Sequence, residues 1–187
     1  KFTIRINNRK ILSGFFDALG LSEKVTDILR IVDKIDKAGK DSIVEMLKKI
    51  GIEEEKTNKI IEFITTKENV VSYLKSLNIE NELFNTGVQE LEIVDKYMKF
   101  FGVPSEYYMI DLSIARGLDY YTKSVFEIIS GPFTVCGGGR YDGLIEEFGG
   151  DPLPGIGFGL GIERLLIRLD ELSVEIPNEE LLDLYII

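Results

Sequence analysis

Residues 116–122 (RGLDYYT) place a guanidinium, a carboxylate and two phenols within seven positions. The planar fork of Arg116 suits an oxyanion such as a phosphate or a carboxylate. The hydroxyls of Tyr120 and Tyr121 can orient a polar ligand while their rings wall a pocket. The alternative is a surface turn whose tyrosines pack into the core. The density of polar groups beside a glycine favours a binding site.

A second candidate is the glycine-rich segment 137–143 (GGGRYDG), which follows Cys136. Its three glycines let the backbone approach a ligand closely, and successive amides can form an anion-binding nest. Arg140 could bind a phosphate or pair with Asp142 or Glu146. Cys136 is most simply a small buried apolar residue, because nothing nearby supplies a base for it.

The third candidate, residues 155–164 (GIGFGLGIER), has glycine at every second position from 155 to 161. Side chains alternate faces along a strand, so one face of this segment is bare. The pattern predicts either a platform for a planar or phosphorylated ligand or close packing of another element. Arg164 lies in the first turn of the next helix, where a cation opposes the helix dipole. It has either a functional role or a partner in Asp151 or Glu163.

Composition limits the class of protein. The 187 residues are 44% hydrophobic, which suits one globular domain with or without an insertion. Histidine is absent and there is one cysteine, which excludes histidine-based catalysis and argues against a zinc site within this chain. One cysteine and no apolar stretch long enough to span a bilayer predict a cytoplasmic protein. The net charge of −10 argues against broad adhesion to nucleic acid, although a local basic patch is compatible with it.

Two differently built regions must position these residues. All five prolines and 12 of the 18 glycines lie beyond residue 103, and the preceding part has helical periodicity. We expect a strand over 2–6, a helix over 10–19 ending at Gly20, and a helical module after it. The predicted divisions are 1–20, 21–103, 104–175 with the glycine strand, and 176–187 as a linker and the start of another domain.

Within the helical module, capping boxes at Ser42 and Glu45 and at Thr86 and Gln89 predict two helix starts. Gly51 and Gly102 predict the ends of those helices. Helical runs are also expected over 53–65 and 67–77. The lysines of the module alternate with Asp and Glu, which is typical of a solvated face, an RNA-contacting surface being the alternative. After Pro104, strands are expected over 109–115, 124–129, 133–136, 155–160 and 181–187, with a helix over 162–173.

Residues 116–122, 137–144 and 157–164, in this order and separation, closely resemble histidyl-tRNA synthetase. The opening 2–12 and the lead-in 112–116 resemble the archaeal and eukaryotic branch of that family. The resemblance covers the whole chain, with the helical module as the family's insertion. It implies an α+β fold: part of a class II synthetase antiparallel sheet flanked by helices, with an all-α insertion.

The resemblance further implies activation of histidine with ATP to histidyl-adenylate and transfer to tRNA(His). Arg116 matches the family's catalytic arginine, which grips the α-phosphate and the substrate carboxylate. Magnesium would accompany ATP, with no protein-only metal site. The implied partners are tRNA(His), in contact with the helical insertion, and a second copy in a homodimer. The implied histidine-binding residues are Arg116, Tyr120, Tyr121, Tyr141, Gly137, Gly138 and Gly139. The implied ATP-binding residues are Gly159, Gly161 and Arg164.

Two departures from the family pattern qualify the resemblance. Lys123 stands where many relatives place glycine. In this family the dimer-forming motif 1 and the ATP-binding motif 2 lie upstream of the position of Lys1, and residues 181–187 resemble the first strand of the anticodon-binding domain. We therefore expect this chain by itself to have little or no aminoacylation activity. Alternatives are a non-catalytic synthetase-like regulatory or tRNA-sensing module, and a free-standing RNA-binding module, which the acidic net charge disfavours.

Overall fold

The computed structural model of the chain describes residues 1–116 and 120–174. Its five-stranded sheet has the order β2-β1-β3-β4-β5. Strand β1 is parallel to β2, and the other neighbouring pairs are antiparallel. The α+β class expected from the sequence is confirmed. The strands are β1 (Thr3–Asn8), β2 (Tyr108–Ile110), β3 (Ser124–Ser130), β4 (Phe133–Tyr141) and β5 (Gly155–Leu160).

Seven helices lie between β1 and β2 in the chain. Within the described residues, one further helix precedes β5 and one follows it. The helices are α1 (Arg9–Ala18), α2 (Val25–Val32), α3 (Ile35–Ala38), α4 (Lys40–Lys49), α5 (Glu54–Thr65), α6 (Val70–Ser76), α7 (Glu82–Phe100), α8 (Leu144–Glu147) and α9 (Ile162–Glu171). Short 3₁₀ turns occupy Ser22–Lys24 and Ser105–Tyr107.

The main hydrophobic core joins the helical region to the first strand. Ile6 of β1, Phe16 of α1, Phe63 of α5 and Phe84 of α7 belong to one cluster of buried side chains. The rings of Phe15 and Phe63 stack with their centroids 3.8 Å apart. Burial of apolar surface therefore holds the later helices, such as α5 and α7, against β1 and α1.

Helices α1 and α7 cross with their backbones in contact. A Cβ added to Gly14 would lie 2.7 Å from the backbone Cα of Phe84. A Cβ added to Gly87 would lie 2.8 Å from the backbone nitrogen of Ile11. Only glycine permits this approach at these two positions.

The predicted start of α7 is wrong. The helix begins at Glu82, and the Asn81 side chain caps it by accepting a hydrogen bond from the backbone nitrogen of Phe84 at 3.0 Å. Thr86 and Gln89 therefore lie inside the helix. An asparagine at the N-cap position satisfies the free amide as well as threonine would.

The predicted start of α4 is also wrong. The helix begins at Lys40, directly after Gly39, so Ser42 and Glu45 lie within it. The positive φ of Gly39, 77°, separates α4 from the preceding short helix. The predicted end is confirmed, since Gly51 also has a φ of 77° and follows the last turn.

Two strand predictions differ from the structure. The strand expected over 109–115 is limited to Tyr108–Ile110, because the side-chain amide of Asn7 donates to the carbonyl oxygens of Leu112 and Ile114 at 3.3 and 2.9 Å. The strand expected over 133–136 continues through three glycines to Tyr141. The strand expected over 181–187 lies outside the described residues.

The predicted divisions at residues 20 and 103 stay predictions. Side chains from both sides of residue 20 contribute to the same core. Among the described residues, no helix has the length and apolar character needed to cross a membrane.

Replacement of Gly14 by alanine should destabilise the crossing of α1 and α7. The new methyl group would meet backbone atoms of Phe84, which cannot move aside as a side chain can, so we expect a loss of about 1–3 kcal/mol in the free energy of unfolding. Urea denaturation of the chain measures this. The matched control is Gly159→Ala, where an added Cβ meets no atom within 4 Å and the change should stay within about 0.5 kcal/mol. Equal free energies of unfolding for the two variants would contradict the close backbone contact of α1 and α7 at Gly14.

Candidate functional site

A glycine-lined face of the sheet forms the floor of the candidate site. Gly137 of β4 lies opposite Gly159 of β5, and on the other side opposite Glu127 of β3. Glu127 in turn lies opposite Arg5 of β1. Directly opposed residues in antiparallel strands share a face. One face of the sheet therefore carries two charged side chains followed by a bare surface.

Part of the bare face is covered by packing. The ring of Tyr141 lies over Gly155 and Gly157, where an added Cβ would come within 3.1 Å of ring atoms. At these two glycines the close-packing alternative of the sequence analysis is correct. The ring of Tyr121 covers Gly139 in the same way, at 2.7 Å from the position of a Cβ.

Gly159 is the open part of the floor. An added Cβ there meets no atom within 4 Å, and Gly159 lines a cleft of about 460 Å³. Gly161 is instead the N-cap residue of α9, and its backbone amide donates to the carbonyl oxygen of Val135 at 2.8 Å. The platform predicted from the alternating glycines is therefore confined to the vicinity of Gly159.

Three tyrosines wall the same cleft. The ring centroids of Tyr120 and Tyr121 are 4.6 Å apart, and those of Tyr120 and Tyr141 are 5.9 Å apart, edge to face. Tyr121 is buried, whereas Tyr120 is 37% exposed. A hydrogen bond with Tyr121 and burial raise the pKa of Tyr120, so its phenol is neutral and can donate a hydrogen bond at neutral pH.

Most of the predicted histidine-binding residues come together in this cleft. Arg116, Tyr120, Tyr121, Tyr141 and Gly137 line it, and Gly139 supports the ring of Tyr121. Gly138 does not join them. By strand alternation it faces the opposite side of the sheet, where an added Cβ would meet the Cβ of Phe158 at 2.7 Å.

Arg116 is held in a constrained conformation at the edge of this cleft. Its φ of 50° is in the left-handed region, and its Nη1 donates to Oε1 of Glu127 at 2.8 Å. A Cβ on Gly137 would lie 2.6 Å from that Nη1, so the glycine makes room for the guanidinium. Burial alone would lower the pKa of Arg116, but the hydrogen bond and charge of Glu127 raise it, and the group is cationic. Its buried Nε has no hydrogen-bond partner among the described residues.

A second, polar cavity of about 390 Å³ lies on the other side of Arg116. Arg164 lines it too, and its Nη1 donates to the carbonyl oxygen of Thr134 at 3.1 Å. It forms no salt bridge with Asp151 or Glu163, the partners considered from the sequence. Each of the two arginines can donate to an oxyanion through its planar fork. The formal charge of the lining is balanced, because Lys37 adds a third cation and Asp33, Asp36 and Glu127 supply three carboxylates; the other lining residues are Pro132, Phe133 and Thr134.

The anion-binding nest predicted at 137–139 is wrong. These glycines lie within β4, which pairs with β3 on one side and β5 on the other, so the sheet takes up their amides. Arg140 pairs with Asp142 at 2.8 Å, and this hydrogen bond lowers the pKa of the Asp142 carboxyl. Cys136 is buried, and burial raises the pKa of its thiol, in agreement with its interpretation as an apolar residue.

Arg5, which no sequence motif marked as a site residue, is buried. Its Nε donates to Oδ2 of Asp111 at 2.6 Å, and its Nη2 donates to Oγ of Ser113 at 2.9 Å. Its Nη1 donates to Oδ2 of Asp36 at 2.5 Å. An arginine between two isoleucines in a strand is predicted to face solvent, because successive side chains point to opposite faces of the sheet. The available signal was that Asn7, also polar, follows it on the same face.

Asn7 and Arg9 hold the backbone that leads to Arg116. The amide of Asn7 binds the carbonyl oxygens of Leu112 and Ile114. Nη1 of Arg9 donates to the carbonyl oxygen of Arg116 at 2.9 Å. The end of β1 therefore positions the candidate catalytic arginine, which is 107 residues away in sequence from Arg9.

Asp111 is the buried anion of this region. Besides Arg5, the ammonium group of Lys67 and the hydroxyl of Ser113 donate to it. Burial alone would raise the pKa of Asp111, but the charge of Arg5 and the hydrogen bonds from Lys67 and Ser113 lower it. The carboxylate is therefore ionised in the folded state over the whole neutral range.

Lys123, the departure from the family pattern, connects α7 with the end of β4. Its Nζ lies 3.1 Å from Oδ2 of Asp142 and 3.8 Å from Oε1 of Glu90. Glu90 also accepts hydrogen bonds from Lys10 at 2.6 Å and Asn8 at 2.8 Å. The lysine is thus part of an ion-pair group beside the tyrosine wall.

The sheet with its flanking helices has the fold of class II synthetases. It superposes on the crystal structure of histidyl-tRNA synthetase from Nostoc sp. PCC 7120 with a TM-score of 0.86 and 40% sequence identity, covering 94% of this chain and 43% of that one. A protein from Bacillus halodurans described as an ATP phosphoribosyltransferase regulatory subunit/histidyl-tRNA synthetase shares the fold at 22% identity, with a TM-score of 0.75 over 90% of this chain and 44% of that one.

Sequence comparison identifies the family. The histidyl-tRNA synthetase profile matches residues 1–165. The histidine–tRNA ligase of Clostridium tetani is 47% identical over 180 residues, covering 92% of this chain and 41% of the relative, and that of Finegoldia magna is 42% identical over 181 residues, covering 93% and 42%. The chain belongs to the histidyl-tRNA synthetase family. It spans about two-fifths of the length of these two bacterial relatives.

Replacement of Asp111 by asparagine should destabilise the fold in a pH-dependent way. The variant removes the only buried carboxylate that Arg5 and Lys67 share within the described residues, although Arg5 keeps Asp36, and we expect a loss of about 3 kcal/mol at pH 7. The carboxyl has a lowered pKa in the folded state, so its contribution is complete above the unfolded value of about 4 and is lost as the pH falls through the folded value. The difference between the two proteins should therefore narrow below about pH 4.

Urea denaturation at several pH values measures that difference. The matched control is Asp142→Asn, which removes a half-buried partner of Arg140 and Lys123 and should cost no more than about 1 kcal/mol. A difference for Asp111→Asn that widens on acidification would contradict the assignment of Asp111 as the stabilising anion.

Proposed function

We propose that this chain supplies part of the active site that activates histidine with ATP and transfers it to tRNA(His). The observation that carries the proposal is the position of Arg116 between two cavities, one walled by tyrosines and the other containing Arg164. A charged guanidinium at that boundary is suited to the point where a substrate carboxylate meets a phosphate.

The tyrosine cleft fits the amino-acid substrate. Tyr120 and Tyr121 provide hydroxyls that can hydrogen-bond an imidazole nitrogen, and the ring of Tyr141 forms a further wall. Gly137 and Gly139 provide space for Arg116 and Tyr121. They act by letting these side chains lie against the sheet, and Gly138 has no part in this arrangement.

The open floor and the polar cavity fit the nucleotide. A planar adenine can lie against Gly159, on the floor of the cleft whose tyrosine wall we assign to histidine, so that one cleft would hold both rings. Arg164 can contact the phosphates in the second cavity, with magnesium carried on the phosphate oxygens. Gly161 acts through the start of α9, which positions Arg164. Arg116 then stabilises the charge that builds on the α-phosphate during adenylate formation. Catalysis rests on positioning and electrostatics.

Other expectations from the sequence accompany this proposal. We propose that tRNA(His) contacts the helical module, that the natural protein forms a homodimer, and that it works in the cytoplasm. The divisions at residues 20, 103 and 175 are proposed as boundaries on the same basis. The resemblance to the archaeal and eukaryotic branch stays a prediction, and the bacterial relatives found here do not support it.

The natural protein that contains this chain should catalyse histidine-dependent exchange of pyrophosphate into ATP. Arg116→Ala should lower the rate constant about 10²–10³-fold, because one pre-oriented cationic donor is removed from the transition state. The 187-residue chain alone should show little or no exchange. Robust pyrophosphate exchange by the 187-residue chain alone would contradict the expectation that the chain is inactive by itself. Absence of exchange in the unsubstituted natural protein would favour a regulatory role.

Gly159→Ala tests the nucleotide floor. The added methyl group meets no protein atom within 4 Å, so the free energy of unfolding should change by no more than about 0.5 kcal/mol. It occupies the surface on which we place the adenine, so the KM for ATP should rise about 10-fold or more while the KM for histidine stays within about twofold. Pyrophosphate exchange with each substrate varied measures both. An unchanged KM for ATP would place the nucleotide elsewhere.

A further inference from the structure

We infer that Glu127 is a positioning residue for Arg116, and that Arg5 holds Glu127 in place. The inference rests on the proposed function of Arg116. It adds two side chains that the family resemblance did not mark, one on β3 and one on β1.

The geometry places Glu127 between two arginines. Its Oε1 accepts a hydrogen bond from Nη1 of Arg116 at 2.8 Å, and its Oε2 lies 4.0 Å from Nη1 of Arg5. The Glu127 side chain is only 16% exposed. Each carboxylate oxygen thus faces a different guanidinium, in a site where water screens the charges little.

Within the described residues, Glu127 is the one anionic side chain that Arg116 contacts, so it fixes the side chain by charge as well as by hydrogen bond. Arginine has many rotamers, and Gly137 beneath the guanidinium provides space without restraint. The hydrogen bond to Glu127 fixes Nη1 against the sheet, and the buried Nε has no hydrogen-bond partner within residues 1–116 and 120–174. Glu127 therefore sets the direction in which the guanidinium points.

Arg5 prevents Glu127 from simply neutralising Arg116. A lone carboxylate would cancel the charge that an anionic substrate needs. Arg5 adds a second cation, which is balanced in turn by Asp111 at 2.6 Å and Asp36 at 2.5 Å. The charges alternate from Arg116 into the interior, so Glu127 is shared and Arg116 keeps part of its field for the substrate.

The kinetic test uses Glu127→Gln in the natural protein that contains this chain. Glutamine keeps the shape and can still accept a hydrogen bond, but it loses the charge. We expect the kcat of pyrophosphate exchange to fall about 10-fold or more while the KM values for histidine and ATP stay within about threefold. In an Arg116→Ala background the same substitution should have no further effect, because its target is gone.

The matched control is Glu171→Gln. Glu171 also pairs with an arginine, Arg168, at 2.9 Å, but it lies on α9 and lines neither cavity. The kcat of the Glu171→Gln variant should equal that of the unsubstituted protein. If Glu127→Gln fails to fold, judged by circular dichroism, Glu127→Asp replaces it: the charge remains but the carboxylate is withdrawn, and the same loss of kcat is expected.

A second measurement separates this inference from the proposed function. In the natural protein labelled with ¹⁵N-arginine, the signal of the Nη1–H group of Arg116, which donates to Glu127, is assigned by its loss in Arg116→Lys. It should be protected from exchange and should lose that protection in Glu127→Ala, which removes the acceptor. Loss of protection without any exchange activity in the unsubstituted protein would support the positioning and reject the function. Retained protection, or an equal fall in kcat in the Arg116→Ala background, would overturn the positioning.

Discussion

The structure depends on the burial of one guanidinium, that of Arg5. It is 9% exposed and donates to side chains from residues 36, 111 and 113. A buried charge without partners costs several kcal/mol, so these groups must assemble around it when the chain folds. Because they come from α3 and from the segment after β2, one side chain links the helical region, the sheet and the approach to Arg116. The remaining features of the site are built outward from this point.

Glycine in this sheet has two different uses that look the same in the sequence. Under Tyr141 and Tyr121 the absent Cβ allows an aromatic ring to lie on the strand, and this packing forms the wall of the cleft. At Gly159 the absent Cβ leaves space on the floor. The wall and the floor require each other, since the rings define the depth of the cleft only because they lie so close to the backbone.

The sequence predicts the local elements well and the long-range polar contacts poorly. The hydrophobic periodicity predicts β1, β3, β5 and most helices, because the strand and helix repeats are both visible within windows of about ten to twenty residues. The start of α7 was misplaced because Asn81 competes with Thr86 as a cap, and propensity does not separate them. The nest at 137–139 was wrong because pairing with β3 and β5 depends on residues far along the chain.

The same limit applies to the candidate site. Arg116, the tyrosines and Arg164 were found from their types, and their grouping followed from the family resemblance. The partners of Arg116 were not found, because Glu127 and Arg5 are ordinary residues of alternating strands until the sheet places them side by side. A charge that is compensated across strands leaves little mark in the spacing of either strand, and the one trace here is a second polar residue, Asn7, on the face of Arg5.

The contact between α1 and α7 has an evolutionary consequence. Their backbones touch at Gly14 and Gly87, so the two ends of the intervening helical segment are held at a fixed separation. Once the ends of a segment are closed, adding residues between them has only a small entropic cost, which grows with the logarithm of length. The exposed parts of helices α2 to α6 can therefore lengthen, shorten or diverge in sequence while the strands on either side keep their register. This freedom ends at the side chains that these helices place in the shared core and at Asp36 and Lys67, which pair with Arg5 and Asp111.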